Sequence, residues 1–102
     1  MSREQATNKL YVCPCCGYAS LAEAFADNIC TICFWQDDGQ DDPHEHQCWG
    51  GPNHVSLTEA RRNFLVFGAA ELRHRSHVRA VKPDDIRVRE YFLTYAVEQK
   101  TL

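Results

Sequence analysis

In Cys13-Pro14-Cys15-Cys16-Gly17 and Cys30-Thr31-Ile32-Cys33 the two cysteine pairs are separated by thirteen residues. Two Cys-x-x-Cys pairs at this separation supply four thiolates, enough to close a tetrahedral shell around one zinc ion at Zn–S distances of about 2.3 Å. Each pair predicts a tight turn, or knuckle. Pro14 fixes φ inside the first, and Gly17 tolerates the positive φ needed where the chain leaves it. Cys13, Cys16, Cys30 and Cys33 are therefore the expected ligands. Cys15 lies in the middle of the first knuckle and gives the x-x spacing with neither neighbour, so it is expected to point away as a spare thiol. Four thiolates leave no coordination position for water, which predicts a structural rather than hydrolytic site. Structural zinc contributes on the order of 10–16 kcal/mol to small folded peptides, more than any single packing change. Iron in rubredoxin-like knuckles is the competing ion, and zinc is favoured.

Six cysteines in 102 residues also raise the possibility of a disulfide scaffold. The opening residues contain no apolar run behind a basic start, so no secretory signal is expected and the thiols should stay reduced. No stretch approaches the roughly 18 apolar residues of a membrane span. These features predict a cytoplasmic chain. Its 44% apolar and 25% charged residues are ordinary for one small globular domain. A redox reading starts from Leu10-Tyr11-Val12 before Cys13-Pro14-Cys15-Cys16, which resembles the active-site turn of a glutaredoxin. The second Cys-x-x-Cys and the lack of a βαβ pattern argue against it.

Working outward, the chain divides at the turn Gly50-Gly51-Pro52-Asn53 into a metal part over residues 10–50 and a helical part over residues 51–102. Residues 1–9 are polar and expected to fray. Leu10–Val12 predicts a short strand. Leu21–Ala26 has helical propensity, although a zinc ribbon would place a hairpin there. Ser56-Leu57-Thr58-Glu59 is a capping box; Leu57, Ala60, Phe64 and Leu65 follow at helical spacing, and Gly68 is a natural stop. Arg61 and Arg62 are expected on or beside the exposed helix face. A second helix is predicted from Pro83-Asp84-Asp85, with an apolar stripe of Val88, Tyr91, Phe92, Tyr95 and Ala96. The expected class is a small metal-stabilised α+β domain: zinc-ribbon or rubredoxin-like knuckles followed by two helices.

Two further clusters carry chemistry. In His44-Glu45-His46-Gln47-Cys48, an extended strand would project His44, His46 and Cys48 from one face as a second metal site, completed by His54 or Cys15. The alternative is a polar loop followed by Cys48 and Trp49 packing into the core. Gln36–Pro43 reads as a solvated acidic turn; its carboxylates do not follow the register of a calcium loop. Residues 13–50 hold seven acidic residues and no Lys or Arg, whereas residues 51–102 hold nine basic and six acidic. This dipolar distribution disfavours a uniformly basic nucleic-acid binder.

CPCCG at Cys13–Gly17, CxxCFWxDDG at Cys30–Gly39 and GGPNxVSLxEARxNFxxFG at Gly50–Gly68 together resemble the bacterial cysteine-rich CPCC family. The resemblance implies a small metal-binding fold and brings no activity with it. The functional expectation is a non-catalytic, zinc-binding protein-interaction module. Its acidic residues Asp37, Asp38, Asp41, Asp42 and Glu45 would suit the basic face of a cognate toxin, as in an immunity protein. The alternatives are nucleic-acid binding through Arg73, Arg75, Arg79, Lys82, Arg87 and Arg89 with His74 and His77, or thiol redox chemistry at Cys15 with Cys13 or Cys48.

Overall fold

In the computed structural model, which describes residues 2–90, the first knuckle lies inside a two-stranded antiparallel hairpin. Strand β1, Tyr11–Val12, pairs with β2, Ala19–Leu21, and the register shifts between Tyr11 and Val12. The second knuckle lies inside a smaller hairpin closed by an antiparallel bridge between Ile29 and Gln36. The two knuckles repeat one hydrogen-bond scheme. Gly17 N–H donates to Cys13 C=O at 2.9 Å and Phe34 N–H donates to Cys30 C=O at 2.8 Å. Cys13 N–H donates to Tyr18 C=O at 2.8 Å and Cys30 N–H donates to Trp35 C=O at 2.9 Å. Gly17 and Phe34 occupy the same left-handed position, with φ of +82° and +72°. A side chain disfavours that conformation by about 1–2 kcal/mol. Phe34 has a compensating contact, its ring lying 4.5 Å from that of His74 and 5.4 Å from that of His77.

Leu21–Ala26 is not helical: after β2 the chain runs through bends, with Phe25 and Asp27 at positive φ. Asp37 holds this segment, accepting the Phe25 N–H through its carboxylate and the Asp27 N–H through its backbone carbonyl. A 3-10 turn over Asp42–His44 carries a capping box made by Asp41 and His44. Helix α1, Leu57–Phe67, begins where Ser56 Oγ accepts the Glu59 N–H and ends at Gly68 in the left-handed conformation, whose N–H donates to Phe64. A second helical element, a 3-10 helix over Leu72–His77, follows.

The predicted second helix does not start at Pro83. Asp85 accepts the Lys82 N–H and two bonds from Arg79, which holds a turn there. Beyond it Arg87 pairs with Tyr18 as extended chain. Tyr91, Phe92, Tyr95 and Ala96 of the expected stripe lie outside the described residues.

The core centres on Trp35, Leu21, Ile32, Leu57 and Val12 around the cysteines, with Ala60 and Ala70 packed from the helical side. Arg61, expected at the surface, is 2% exposed and takes the inward position, while Leu65 of the apolar stripe is solvent-exposed. The expected fraying of the N-terminus is also corrected over residues 2–9. Val12 N–H donates to Glu4 C=O, Gln5 pairs with Tyr11, and Arg3 is buried.

Candidate metal centre

The two knuckles bring the Sγ atoms of Cys13, Cys16, Cys30 and Cys33 within 4.8 Å of one another, all four buried. Cys13 Sγ lies 3.6 Å from Cys33 Sγ, and Cys16 Sγ lies 3.7 Å from Cys30 Sγ. Sulfurs about 2.3 Å from a shared tetrahedral zinc stand about 3.8 Å apart, so the donor set fits such an ion in both chemistry and spacing. Ser20 Oγ, on β2, lies 3.0 Å from Cys30 Sγ, and the Ile32 N–H points to the same sulfur at 3.4 Å. Donors of this kind orient a thiolate ligand and moderate its charge.

Burial pushes the Cys13 thiol up and pushes those of Cys16 and Cys33 well up. Cys30 goes the other way. Burial opposes its ionisation, but hydrogen bonds from Cys13, Cys16, Cys33 and Ser20 hold it well below the usual thiol range. A cation is the partner that would let all four ionise together.

Cys15 is buried in the core beside this set rather than within it. Cys48 is exposed, and its thiol meets the His54 carbonyl at 3.5 Å. The second metal site is not formed. His44, His46 and Cys48 do not share an extended strand, because the 3-10 turn over Asp42–His44 and a further turn at 45–46 intervene. His44 Nδ1 accepts the Asp41 N–H, and His46 Nδ1 lies 3.2 Å from Thr58 Oγ1. Among the described residues, the four-cysteine set is the group of potential ligands gathered within binding distance. Trp49 does not enter the core; it is exposed, and its Nε1 donates to Gln47.

The acidic turn is not uniformly solvated. Asp37 and Asp41 are buried against arginine. Arg3 reaches both Asp37 oxygens at 3.1 Å, and its Nε stands 2.8 Å from Asp41 Oδ2. Its guanidinium also lies over the Phe25 ring, 4.4 Å from the centroid. Arg89 donates to Asp41 and to both carboxylate oxygens of Glu4. Arg61 spans the two halves of the chain. Its Nε donates to Pro14 C=O at 2.9 Å, NH1 to Glu45 at 2.8 Å and NH2 to Asp42 at 2.6 Å. Asp38 is half-buried and bonds Gln40 and Asn53. Asp42 remains exposed and Glu45 half-buried.

Several of the basic residues considered for phosphate contact are likewise paired: Arg73 with Glu71, Arg79 with Asp85, Arg87 with Glu90 and Arg89 with Glu4 and Asp41. Sequence reasoning missed Arg3, Arg61 and Arg89 as structural residues. For Arg61 a signal existed: it falls four residues after Leu57 and three before Phe64, on the apolar stripe itself.

The sequence model of a family described as "Cysteine-rich CPCC" matches residues 11–85, well over half of the chain. The chain belongs to the cysteine-rich CPCC family. No curated protein and no solved structure matches it. Within this CPCC chain the matched region contains all four clustered cysteines and Arg61, whereas Arg3, Glu4 and Arg89 lie outside it. No helix among the described residues is long and apolar enough to cross a membrane.

A groove of about 450 Å³ opens beside the second knuckle, lined by Ile29, Phe34, His77, Val78 and Arg79, with Cys30 among its walls.

Proposed function

We infer that this CPCC protein is a zinc-stabilised module that acts by binding another protein, without catalysis. The observation that carries this reading is the complete, buried set of four sulfurs: a tetrahedral ion held there has no position left for a substrate. The ion would then hold two hairpins together, and binding would fall to the surface that they support. Leu65 and Val66 on α1 and Leu72 on the neighbouring 3-10 helix are exposed, Val66 at 68% and Leu72 at 62%. Such residues support an apolar contact face better than Asp37 and Asp41, which are occupied by Arg3 and Arg89.

The narrower reading, an immunity protein neutralising a basic toxin, would rest on Asp38, Asp42 and Glu45 alone. The test is a native mass spectrum of the untagged protein from its own host. One zinc per chain with a protein partner, lost on Val66→Asp but not on Asp42→Asn, supports the α1 face. Metal-free protein, or partner binding unaffected by Val66→Asp, refutes the corresponding half of the reading.

A further inference from the structure

The first knuckle is closed from outside by the segment after Asp85. Ala19 N–H donates to Ile86 C=O at 2.9 Å, and Val88 and Arg89 N–H both donate to Gly17 C=O, at 2.8 and 3.1 Å. Arg87 pairs with Tyr18, and its guanidinium lies 4.9 Å from the centre of that ring. Residues 86–89 therefore form a strap along the exit of the knuckle that carries Cys13 and Cys16. Contact is tight enough that a Cβ at Gly17 would collide with the Arg89 carbonyl oxygen.

The Arg89 side chain ties the strap to its surroundings. Arg89 donates to Glu4 at 2.9 and 2.6 Å and to Asp41 at 2.7 Å. Arg3 holds Asp41 from the other side, at 2.8 Å. The fastening thus joins the strap, the N-terminal segment and the acidic turn, and both of its arginines lie outside the stretch matched to the family.

We propose that this strap, latched by Arg89, is a kinetic lock on the four-cysteine centre: the first knuckle releases its ion only after the strap lifts from Gly17. The proposal rests on the reading that the centre holds a metal, and the physical reason is local. Cys13 and Cys16 can separate only if the turn from Cys13 to Tyr18 opens. The strap accepts or donates three hydrogen bonds to the residues that leave that turn. With the latch in place, opening requires breaking those bonds together with an ion pair that is mostly shielded on the Asp41 side, where the side chains of Arg89 and Asp41 are 15% and 6% exposed.

The test loads the full-length protein with zinc, confirms one ion per chain, and follows its transfer to excess chromogenic chelator. Arg89→Ala is expected to bind one ion and to release it about tenfold faster than the wild type, chiefly the effect of losing the shielded contact with Asp41, since the bonds to half-exposed Glu4 add little. Arg73→Ala, which removes the half-exposed pair with Glu71 away from the knuckle, is expected to stay within about twofold. Wild-type release should also accelerate with added salt, because Glu4 is 47% exposed and its bond to Arg89 is screened. This salt series decides the matter if Arg89→Ala does not fold. Equal rates for Arg89→Ala and Arg73→Ala, or a wild-type rate indifferent to salt, would overturn the lock. Failure of the wild type to take up any ion is a separate result, seen before the chase begins, and removes the metal reading and the lock together.

Discussion

Replacing Arg61 by alanine should destabilise the protein far more than its place on a helix surface would suggest. The side chain is 2% exposed and donates to Glu45, to Asp42 and to the Pro14 carbonyl inside the first knuckle. Asp42 and Glu45 keep 62% and 34% of their side-chain exposure, so once released they return to water and their loss counts little. The Pro14 carbonyl cannot do so. A buried acceptor left without its charged donor costs about 1–3 kcal/mol. Loss of the buried aliphatic stem adds about 1–2 kcal/mol. The expected total is about 3 kcal/mol. Arg61→Lys should lose roughly half of that, since an ammonium keeps the stem and charge but cannot serve three acceptors in a planar fork. The assay is urea unfolding with zinc held in excess, so that metal occupancy does not vary, with exposed Arg75→Ala as the comparison, expected within about 0.5 kcal/mol of wild type. If Arg61→Ala and Arg75→Ala shift the midpoint equally, Arg61 is not the strut described above.

Serine at Cys13, Cys16, Cys30 or Cys33 should abolish stoichiometric metal uptake and unfold the chain, whereas Cys15→Ser and Cys48→Ser should each retain one ion, as counted by native mass spectrometry. Zinc affinity should fall as pH falls, because burial raises the thiols of Cys13, Cys16 and Cys33 and binding must displace their protons; competition titrations over a pH series measure this. Gly17→Ala should destabilise by about 2 kcal/mol or more, combining the left-handed φ with the displaced Arg89 carbonyl, and a wild-type unfolding midpoint would refute that close approach. Arg79 holds the Asp85 carboxyl at a pKa of about 2, so its contribution is present above the ordinary carboxylate range and is lost as pH falls toward 2; Asp85→Asn should flatten that part of the acid stability profile.

The four-cysteine cluster was legible because its information is local. The x-x spacing turns each cysteine pair into a knuckle, and Gly17 signals the backbone conformation that follows. Helix α1 was legible for the same reason: Ser56 and Gly68 lie within one turn of the ends that they cap. The ion-pair frame was not. Arg3 meets Asp37 across 34 positions, Arg61 meets Pro14 across 47 and Arg89 meets Asp41 across 48, and no window of sequence holds both members of such a pair. Asp37 and Asp41 therefore read as a solvated acidic patch when they are interior anchors. Pro83-Asp84-Asp85 failed differently. Its residues suit a helix start, but Asp85 bonds back to Lys82 and Arg79, and the following backbone gains more by pairing with the knuckle than by coiling.

The matched hydrogen-bond schemes of the two knuckles have a consequence for chain continuity. Each hairpin contributes two of the four sulfurs, and the bends over residues 22–26 that join them contain no ligand. A cut within those bends would leave two halves, each holding a pair of thiols too few to saturate an ion. Reassembly of the nicked protein would then be a bimolecular reaction drawn together by the metal along with the contacts of Arg3, Arg61 and Arg89 that cross the cut. Its yield would depend on zinc and on fragment concentration alike, so that fragment complementation would report on the ion as the joint between two equivalent hairpins.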